Sequence, residues 1–313
     1  MKKTTLIITI IFSCLLLTSC KDTKKTYYDT GKLMCEYIQK NGIEHGPFKC
    51  YYESGALRIE GTYKNGKQEG ITKVYYESGA VNVEGTHKNG VLEGIAKIYD
   101  ENGTLKAEIP HKNGVLEGIE KEYYENGTLH VKTQFKNGKK EGIKKVYYES
   151  GILKAEGSFK NDKQEGVEKQ YYENGTLKAE IPYKNDKQEG IAKSYYENGA
   201  LEGETLFKNG QKEGIEKQYY ENGTLKAEIP YKNGKQEGIT KVYYESGALW
   251  IEGTFKNDKY EGIAIMYDEY GALWIAIKYQ NDKAVRGICG NGRELTYTEI
   301  ENWNNGLDVN CNY

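Results

Sequence analysis

The feature that most constrains this sequence is an internal repeat of 24 residues. Asparagine recurs at this interval from Asn41 to Asn281, and glycine does so from Gly31 to Gly271, without an insertion. Each unit reads approximately Gly-Ile-x-Lys-x-Tyr-Tyr-Glu-Asn-Gly-x-Leu-x-x-Glu-x-x-Tyr-Lys-Asn-Gly-x-x-Glu. One such unit cannot bury its own apolar face, so stability comes from stacking neighbouring units. We predict about eleven units over residues 27–282.

Each unit contains two stretches with the period-two alternation of β-strands. Ile71, Lys73 and Tyr75 scarcely change between units, whereas the residues between them vary. A half-buried strand has one constant face, so we expect these three side chains to point to the core, with the aliphatic stem of Lys73 lying across it. In the second stretch, residues 57–63, the odd-numbered residues are expected on the same core face.

Two turns per unit complete the predicted hairpins. If Tyr75 pairs with Val81, three residues ending in Gly79 form a turn that needs a left-handed glycine. If Tyr63 pairs with Ile71, the second turn has five residues and contains Asn-Gly. The predicted fold class is all-β: an elongated antiparallel β-meander of tandem 24-residue β-hairpin repeats, a solenoid-type single-layer sheet that twists.

The Tyr-Tyr-Glu-Asn-Gly-x-Leu and Tyr-Lys-Asn-Gly-Lys-x-Glu-Gly elements resemble the MORN repeat variant over about residues 27–282. Bacterial proteins of this type are often described as antitoxin or immunity components of toxin–antitoxin systems. The resemblance therefore implies a protein partner, such as a toxin, and no catalytic residues. The longer-known MORN form relies on tryptophan and more glycine, and this sequence departs from it, so binding of lipid headgroups is not carried over.

The N-terminus has the order of residues of a secretory signal. Two lysines precede an apolar run too short to span a bilayer comfortably, and Leu-Thr-Ser-Cys follows, ending at Cys20. These four residues resemble the lipobox of bacterial lipoproteins, which implies cleavage after residue 19 and a lipid on Cys20. We expect residues 1–19 to be a lipoprotein signal peptide, 20–26 a short tether and 283–313 an aperiodic C-terminal cap.

A lipid on Cys20 would hold the mature chain at a membrane surface through this lipid only. Lys21 follows the cysteine, where the usual signal for retention at the inner membrane has an acidic residue. We therefore expect a lipid-anchored protein of the cell envelope, at the outer membrane or cell surface if the cell has two membranes. An ordinary signal peptide with an incidental cysteine is the alternative.

Charge and composition argue against several functional classes. The whole chain has a net charge of −2, and loss of the signal with its two lysines leaves −4, with acids and bases interleaved. A nucleic-acid binder would carry a clustered basic face, so we expect no nucleic-acid partner.

His87 and His111 occupy the same position in adjacent units, but no third ligand recurs beside them. We expect no metal, no cofactor and no enzymatic activity, because no catalytic constellation stands out.

The cysteines of the mature chain beyond Cys20 lie at its two ends. Cys289 and Cys311 are candidates for a disulfide that closes the aperiodic tail. Cys35 and Cys50 would cross-link the first hairpin, but the register given above puts them on opposite faces, which argues against that bond.

The candidate partner surface is aromatic. The second tyrosine of the unit forms a ladder, and rows of exposed rings suit protein or glycan binding. Stacking of the rings for stability is the alternative, and the two roles are compatible. The ladder consists of Tyr76, Tyr124, Tyr148, Tyr172, Tyr196, Tyr220 and Tyr244.

Trp250 and Trp274 extend this candidate surface near the C-terminus. They hold a position occupied by lysine or arginine in other units, which predicts an apolar patch on an otherwise charged outward face. We expect the tail from Ala284 to Tyr313 to fold back over both tryptophans, with a free partner-binding patch as the alternative.

Glutamates equivalent to Glu60 form a further ladder. A stripe that binds cations is one hypothesis. The preferred interpretation is a solvated face, on which flanking lysines offset the repulsion between neighbouring carboxylates.

Together these features predict a non-enzymatic, surface-anchored repeat protein that binds a protein partner in the manner of an immunity protein or antitoxin. The alternative is a structural or adhesive envelope lipoprotein that binds host or neighbouring-cell molecules.

Overall fold

The computed structural model describes residues 21–307 and 309–311. The fold is all-β: the strands form an open antiparallel sheet, in which tandem hairpins follow one another along the chain, and one short helix follows the last strand. The elements are β1 Lys21–Tyr27, β2 Leu33–Lys40, β3 Ile43–Tyr51, β4 Leu57–Lys64, β5 Lys67–Gln68, β6 Gly70–Tyr75, β7 Val81–Lys88, β8 Val91–Leu92, β9 Gly94–Tyr99, β10 Leu105–Lys112, β11 Val115–Leu116, β12 Gly118–Tyr123, β13 Leu129–Lys136, β14 Lys139–Tyr147, β15 Leu153–Lys160, β16 Lys163–Tyr171, β17 Leu177–Lys184, β18 Lys187–Gln188, β19 Gly190–Tyr195, β20 Leu201–Lys208, β21 Gln211–Lys212, β22 Gly214–Tyr219, β23 Leu225–Lys232, β24 Lys235–Gln236, β25 Gly238–Tyr243, β26 Leu249–Lys256, β27 Lys259–Tyr267, β28 Leu273–Gln280, β29 Lys283–Cys289 and α1 Tyr297–Asn304.

The chain divides into two compact units, with the division inside β10. The first unit extends to Leu105 and includes His111–Val115, and the second comprises Lys106–Pro110 and the chain from Leu116 onward. Within each unit the strands pair with their neighbours in sequence, so the connections are local hairpins. In the described residues no helix is long and apolar enough to cross a membrane.

The Asn-Gly turn has two residues, not the five expected from the sequence. Lys64 pairs with Lys67, and the residues between them, Asn65 and Gly66, have φ of 52° and 75°. Two successive positive φ angles define a type I′ turn, whose twist matches that of the flanking strands. The four turns with Asn-Asp keep the same backbone, since Asp162 has a φ of 68°.

The shorter turn reverses the face assignment of the following strand. Tyr63 pairs with Gln68 and Ile59 with Val74, so Ile71 is not opposite Tyr63. A register change of an odd number of residues moves every side chain of a strand to the other face. Ile71 is 56% exposed, whereas Thr72 is 6% exposed, so the prediction that Ile71, Lys73 and Tyr75 face the core is wrong.

The inner face of the sheet carries the variable residues of each unit. Its buried members are mostly small or aliphatic side chains on both strands of the hairpin, with Phe48 as an aromatic one. In the first compact unit they include Phe48, Thr72 and Ala96. In the second compact unit they include Val131, Thr133, Ala179, Ala227, Ala264, Ile275 and Ile277. A single sheet with such a thin core explains why the overall mean hydropathy is as low as −0.79.

The three-residue turn that ends in Gly79 has the pairing predicted from the sequence, and a β-bulge follows it. Tyr75 pairs with Val81, and Gly79 has a φ of 91°, as its position requires. The next pair is Val74 with Val83, so Asn82 has no partner in the ladder. An extra residue of this kind locally interrupts the alternation of side chains. The bulge recurs in the other units at the equivalent position.

Cys35 and Cys50 lie directly opposite each other and form a disulfide, with a Cα–Cα distance of 4.0 Å. Directly opposed residues of an antiparallel pair share a face. The expectation that these two cysteines lie on opposite faces is therefore wrong. The cause is again the two-residue turn, because the equivalent residues of the next unit, Ile59 and Val74, pair in the same way.

The C-terminal segment covers the inner face of the last strands. Ile300 of α1 belongs to the same buried cluster as Ile275 and Ile277. Cys289 and Cys311 form a disulfide with an S–S distance of 2.01 Å. The helix begins with a capping box in which Thr296 and Glu299 bond reciprocally.

Candidate functional site

The second tyrosine of the unit, which Asp100 and Asp268 replace in two units, joins its unit to the next. In both compact units its hydroxyl donates to the backbone carbonyl 23 residues later, at 2.7 to 2.9 Å. We call the line of these tyrosines, with the residues six positions after them, the ring row. Its hydroxyl bonds run from Tyr52 to Tyr75, Tyr76 to Tyr99, Tyr124 to Tyr147, Tyr148 to Tyr171, Tyr172 to Tyr195, Tyr196 to Tyr219, Tyr220 to Tyr243 and Tyr244 to Tyr267.

The residue six positions after each tyrosine of the ring row is the bulge residue, and in several units it covers the ring. The Lys154 ammonium lies 5.3 Å from the centre of the Tyr148 ring, which is a cation–π contact. Cation–π contacts are also found for Lys178 over Tyr172 at 5.3 Å and Lys226 over Tyr220 at 5.5 Å. In two other units a second ring takes the place of the cation: the ring centres of His130 and Tyr124 lie 4.3 Å apart, and those of Trp250 and Tyr244 lie 5.6 Å apart.

Trp250 and Trp274 are both bulge residues: Trp250 belongs to the ring row, and Trp274 follows Asp268, which stands where other units have the second tyrosine. Trp274 lies 6.4 Å from Trp303, which packs against the buried cluster of the C-terminal segment. The Trp303 indole donates to the Tyr279 hydroxyl at 2.7 Å. Trp250 remains 40% exposed and Trp274 37% exposed, so the tail does not bury the pair as expected. Its apolar residues pack on Ile275 instead.

The constant residues of the unit form an ordered polar network on the outer face. The Lys73 ammonium lies 3.3 Å from the Glu84 carboxylate, and Lys49 lies 3.8 Å from Glu60. The Tyr75 hydroxyl donates to Glu60 at 2.7 Å. Burial, followed by this hydrogen bond and the nearby carboxylate charges, raises the pKa of Tyr75 to about 12. Lysines thus pair with several glutamates of the ladder, in agreement with the preferred interpretation of a face on which lysines offset the carboxylate charges.

The last glutamate of the unit caps the next Asn-Gly turn, a role that the sequence analysis missed. Glu69 accepts the backbone N–H of Asn89 at 2.9 Å, and Glu189 accepts that of Asn209 at 2.7 Å. Where aspartate occupies the second position of the turn, it accepts a backbone N–H of the preceding unit, as Asp186 does from Gln164. The constant 24-residue spacing of this glutamate was the available signal.

A line of exposed aliphatic side chains on the outer face was also missed. These residues directly follow the glycine of the Glu-Gly pair and are 43% to 56% exposed, although their type hardly varies. We call them the aliphatic row. It comprises Ile71 and Ile95 in the first compact unit and Ile119, Ile143, Val167, Ile191, Ile215, Ile239 and Ile263 in the second compact unit.

Three consecutive repeats widen the aliphatic row into a patch. Directly opposite Val167, Ile191 and Ile215 lie Pro182, Leu206 and Pro230. In the flanking repeats of the second unit the opposing residues are Gln134, Ser158, Thr254 and Lys278. The central six side chains are therefore the most apolar part of the outer face of this unit, and we call them the aliphatic patch.

Across residues 21–307 and 309–311, no three His, Cys, Asp or Glu side chains are grouped so that they could hold a metal ion. His87 occupies the slot of a core aromatic residue, and its buried Nδ1 has no hydrogen-bond partner. Burial lowers the pKa of His87. Its surroundings are those of a packed aromatic ring.

Comparisons with known proteins agree with the repeat. The MORN repeat variant matches nine consecutive segments, well over half of the chain: 44–65, 68–89, 92–113, 116–137, 140–161, 164–185, 188–209, 212–233 and 236–257. No curated protein matches this chain.

Among solved structures, the crystal structure of TcdB2-TccC3-Cdc42 is similar at 10% identity with a TM-score of 0.19, and that of TcdB2-TccC3 at 12% with a TM-score of 0.19. Each match covers 88% of this chain, but the chain spans less than a fifth of those longer chains, 17% and 18%. Likeness at this level carries no functional information. The nine family segments are decisive, and the chain belongs to the MORN repeat variant family.

Proposed function

We propose that this protein is a non-enzymatic, envelope-anchored repeat protein that binds a protein partner through the aliphatic patch. The observation that carries the proposal is the exposure of aliphatic side chains whose type is nearly constant across nine repeats. Side chains that serve only the core would be buried, and water-facing positions ordinarily vary among polar types. Contiguous exposed apolar surface of this kind is typical of interaction sites.

The arrangement of the surface fits a protein partner. The six side chains of the aliphatic patch lie opposite one another in three consecutive repeats and form a contiguous apolar centre, as the core of a protein interface does. The lysine–glutamate network beside the row is internally neutralised, as at Lys145 and Glu156, which lie 3.0 Å apart. The complementary surface would therefore be an apolar ridge with a polar, weakly charged margin.

The anchor and the biological role belong to the same proposal. The lipobox-like end of the signal supports a lipid on Cys20, which lies outside the described residues. The resemblance to bacterial immunity and antitoxin components supports a toxin as the partner, neutralised by occupation of its surface.

A photo-crosslinking residue at position 191 tests the proposal in the native envelope. We expect a discrete protein adduct from Ile191, and none from Ile263, which is equally exposed but faces Lys278. The double variant Val167→Lys, Ile215→Lys should abolish the adduct from position 191, whereas Ile143→Lys, Ile239→Lys should largely keep it. An adduct that survives the first double variant would refute the patch, and the immunity role requires that the partner be toxic without this chain.

An adhesive role is the second candidate. Tyr270, in the turn before Trp274, is 96% exposed, and Trp250 and Trp274 are partly exposed. If the partner adduct comes from position 270 and the outcome of removing the chain is loss of cell attachment, the adhesive role is the correct one.

A further inference from the structure

One unit of the ring row reverses the charge of its covering residue. The residue six positions after Tyr196 is Glu202, where Lys178 and Lys226 stand in the preceding and following units. Those two lysines lie 5.3 and 5.5 Å from the centres of their tyrosine rings. At Tyr196 the internal cation is therefore replaced by a carboxylate.

The same unit has the smallest side chains in this part of the sheet. Gly203 stands where the neighbouring repeats have Ala179 and Ala227. Ser194 lies directly opposite Gly203. A cavity of about 410 Å³ opens here, and its walls include Tyr196, Glu202 and Gly203. The substitutions thus remove both the covering cation and the bulk beside it.

The other charged groups of the cavity wall lie opposite, or in contact with, groups of the chain itself. Lys193 and Lys217 flank Glu204 in the strand register of the lysine–glutamate network. Lys226 lies over the Tyr220 ring. The buried Glu216 is paired with Lys212 and accepts from Gln218 at 2.7 Å.

Glu202 differs from these groups in what surrounds it. Its side chain and that of Tyr196 line the same cavity. Its charge also contributes, after burial, to raising the pKa of Tyr196. A ring face and a carboxylate that converge on one space attract a positive charge and repel a negative one.

We propose that the cavity between Tyr196 and Glu202 binds an external alkylammonium or guanidinium cation, in place of the lysine that covers the equivalent ring in neighbouring units. The cation would lie over the Tyr196 ring and pair with the Glu202 carboxylate, while its alkyl stem would lie along Gly203 and Ser194. A lysine or arginine side chain of a protein and a free amine share this chemistry. The site is independent of the aliphatic patch.

The test uses the full chain and measures ligand-detected saturation-transfer NMR with N-acetyl-lysinamide and N-acetyl-argininamide. N-acetyl-norleucinamide, which keeps the stem without the charge, is the control ligand. We expect saturation of the methylene next to the charged group, and at least about fivefold weaker binding of the neutral analogue. Equal binding of the charged and neutral ligands would overturn the proposal.

Matched variants are provided by the repeat itself. Glu202→Lys recreates the covering lysine of the preceding unit and leaves Gly203 unchanged, because a Cβ there would lie 3.2 Å from the Lys217 backbone oxygen. This variant should fold normally and lose the saturation signal. Conversely, Lys178→Glu with Ala179→Gly should create a second site at Tyr172. Retention of binding by the first variant would overturn the assignment, whatever the outcome at the aliphatic patch.

A short peptide, Ala-Ala-Lys-Ala-Ala with blocked ends, distinguishes the two sources of the cation. Tighter binding of the peptide than of the free amide would assign the site to a protein side chain, and equal binding would assign it to a small amine. Both results support the cation site, whereas binding of neither compound would contradict it.

Discussion

The Tyr148 hydroxyl donates to the backbone carbonyl of Tyr171 at 2.8 Å, one repeat further along the chain. The same ring is covered by the Lys154 ammonium, so one side chain binds two neighbouring parts of the array. A residue that looks like a surface aromatic in the sequence thus contributes to stacking of the repeats.

The first prediction concerns this bond. Tyr148→Phe keeps the ring and its cation but removes the donor, so the free energy of unfolding should fall by about 1 kcal/mol. Urea unfolding followed by circular dichroism measures it. Tyr270→Phe is the control, because Tyr270 is 96% exposed and should have no effect. Equal stability of the two variants would show that the hydroxyl bond contributes nothing.

The second prediction concerns the cap of the Asn-Gly turn. Glu189→Ala removes the acceptor for the Asn209 backbone N–H, which lies 2.7 Å from the carboxylate. Because this bond is exposed, we expect a loss of roughly 0.5 to 1 kcal/mol in the free energy of unfolding. Glu173→Ala, in an exposed turn at the other end of the strands, should change it less. The reverse order would contradict the capping role.

The third prediction is a pH dependence at His87. Burial lowers its pKa in the folded state, so the unfolded chain binds more protons once the pH falls below about 6.5. Stability contributed by neutral His87 is therefore present at pH 7.5 and decreases towards pH 5. His87→Phe, which copies Phe135 of another unit, should reduce this decrease. An unchanged pH profile of the unfolding free energy would refute the assignment.

The fourth prediction concerns the C-terminal segment. Deletion of residues 284–313 uncovers Ile275 and Ile277, which are both 0% exposed in the intact chain. We expect self-association in size-exclusion chromatography with light scattering, and stronger quenching of Trp274, which loses its contact with Trp303. The point variant Tyr297→Ala alters an exposed residue of the same segment and should stay like the intact chain. A monomeric deletion variant would show that the segment is not a cap.

The fifth prediction concerns Cys20. Cys20→Ala should move the protein from the membrane fraction to the soluble fraction after cell fractionation, because the proposed anchor is a lipid on that thiol. Cys14→Ala, within the apolar run, is the control and should leave the protein with the membrane. Membrane retention of Cys20→Ala would place the anchor elsewhere.

The hairpin repeat was predictable from the sequence because its signals are local. Alternation of Ile71, Lys73 and Tyr75 identifies a strand, and Gly79 at a left-handed position identifies a turn. These features depend on backbone preferences that act over a few residues. Because the spacing of 24 residues is constant, every repeat has the same pattern of strands and turns.

Which face each residue occupies was decided only by the tertiary structure. The choice of a two-residue turn at Asn65 and the bulge at Asn82 each change the register by an odd number of residues. Such a change moves the side chains of a strand to the opposite face of the sheet, although the alternating pattern in the sequence stays the same. For this reason Ile71 is exposed, Cys35 pairs with Cys50 and Trp274 meets Trp303, whereas the sequence alone determined only that strands and turns would alternate.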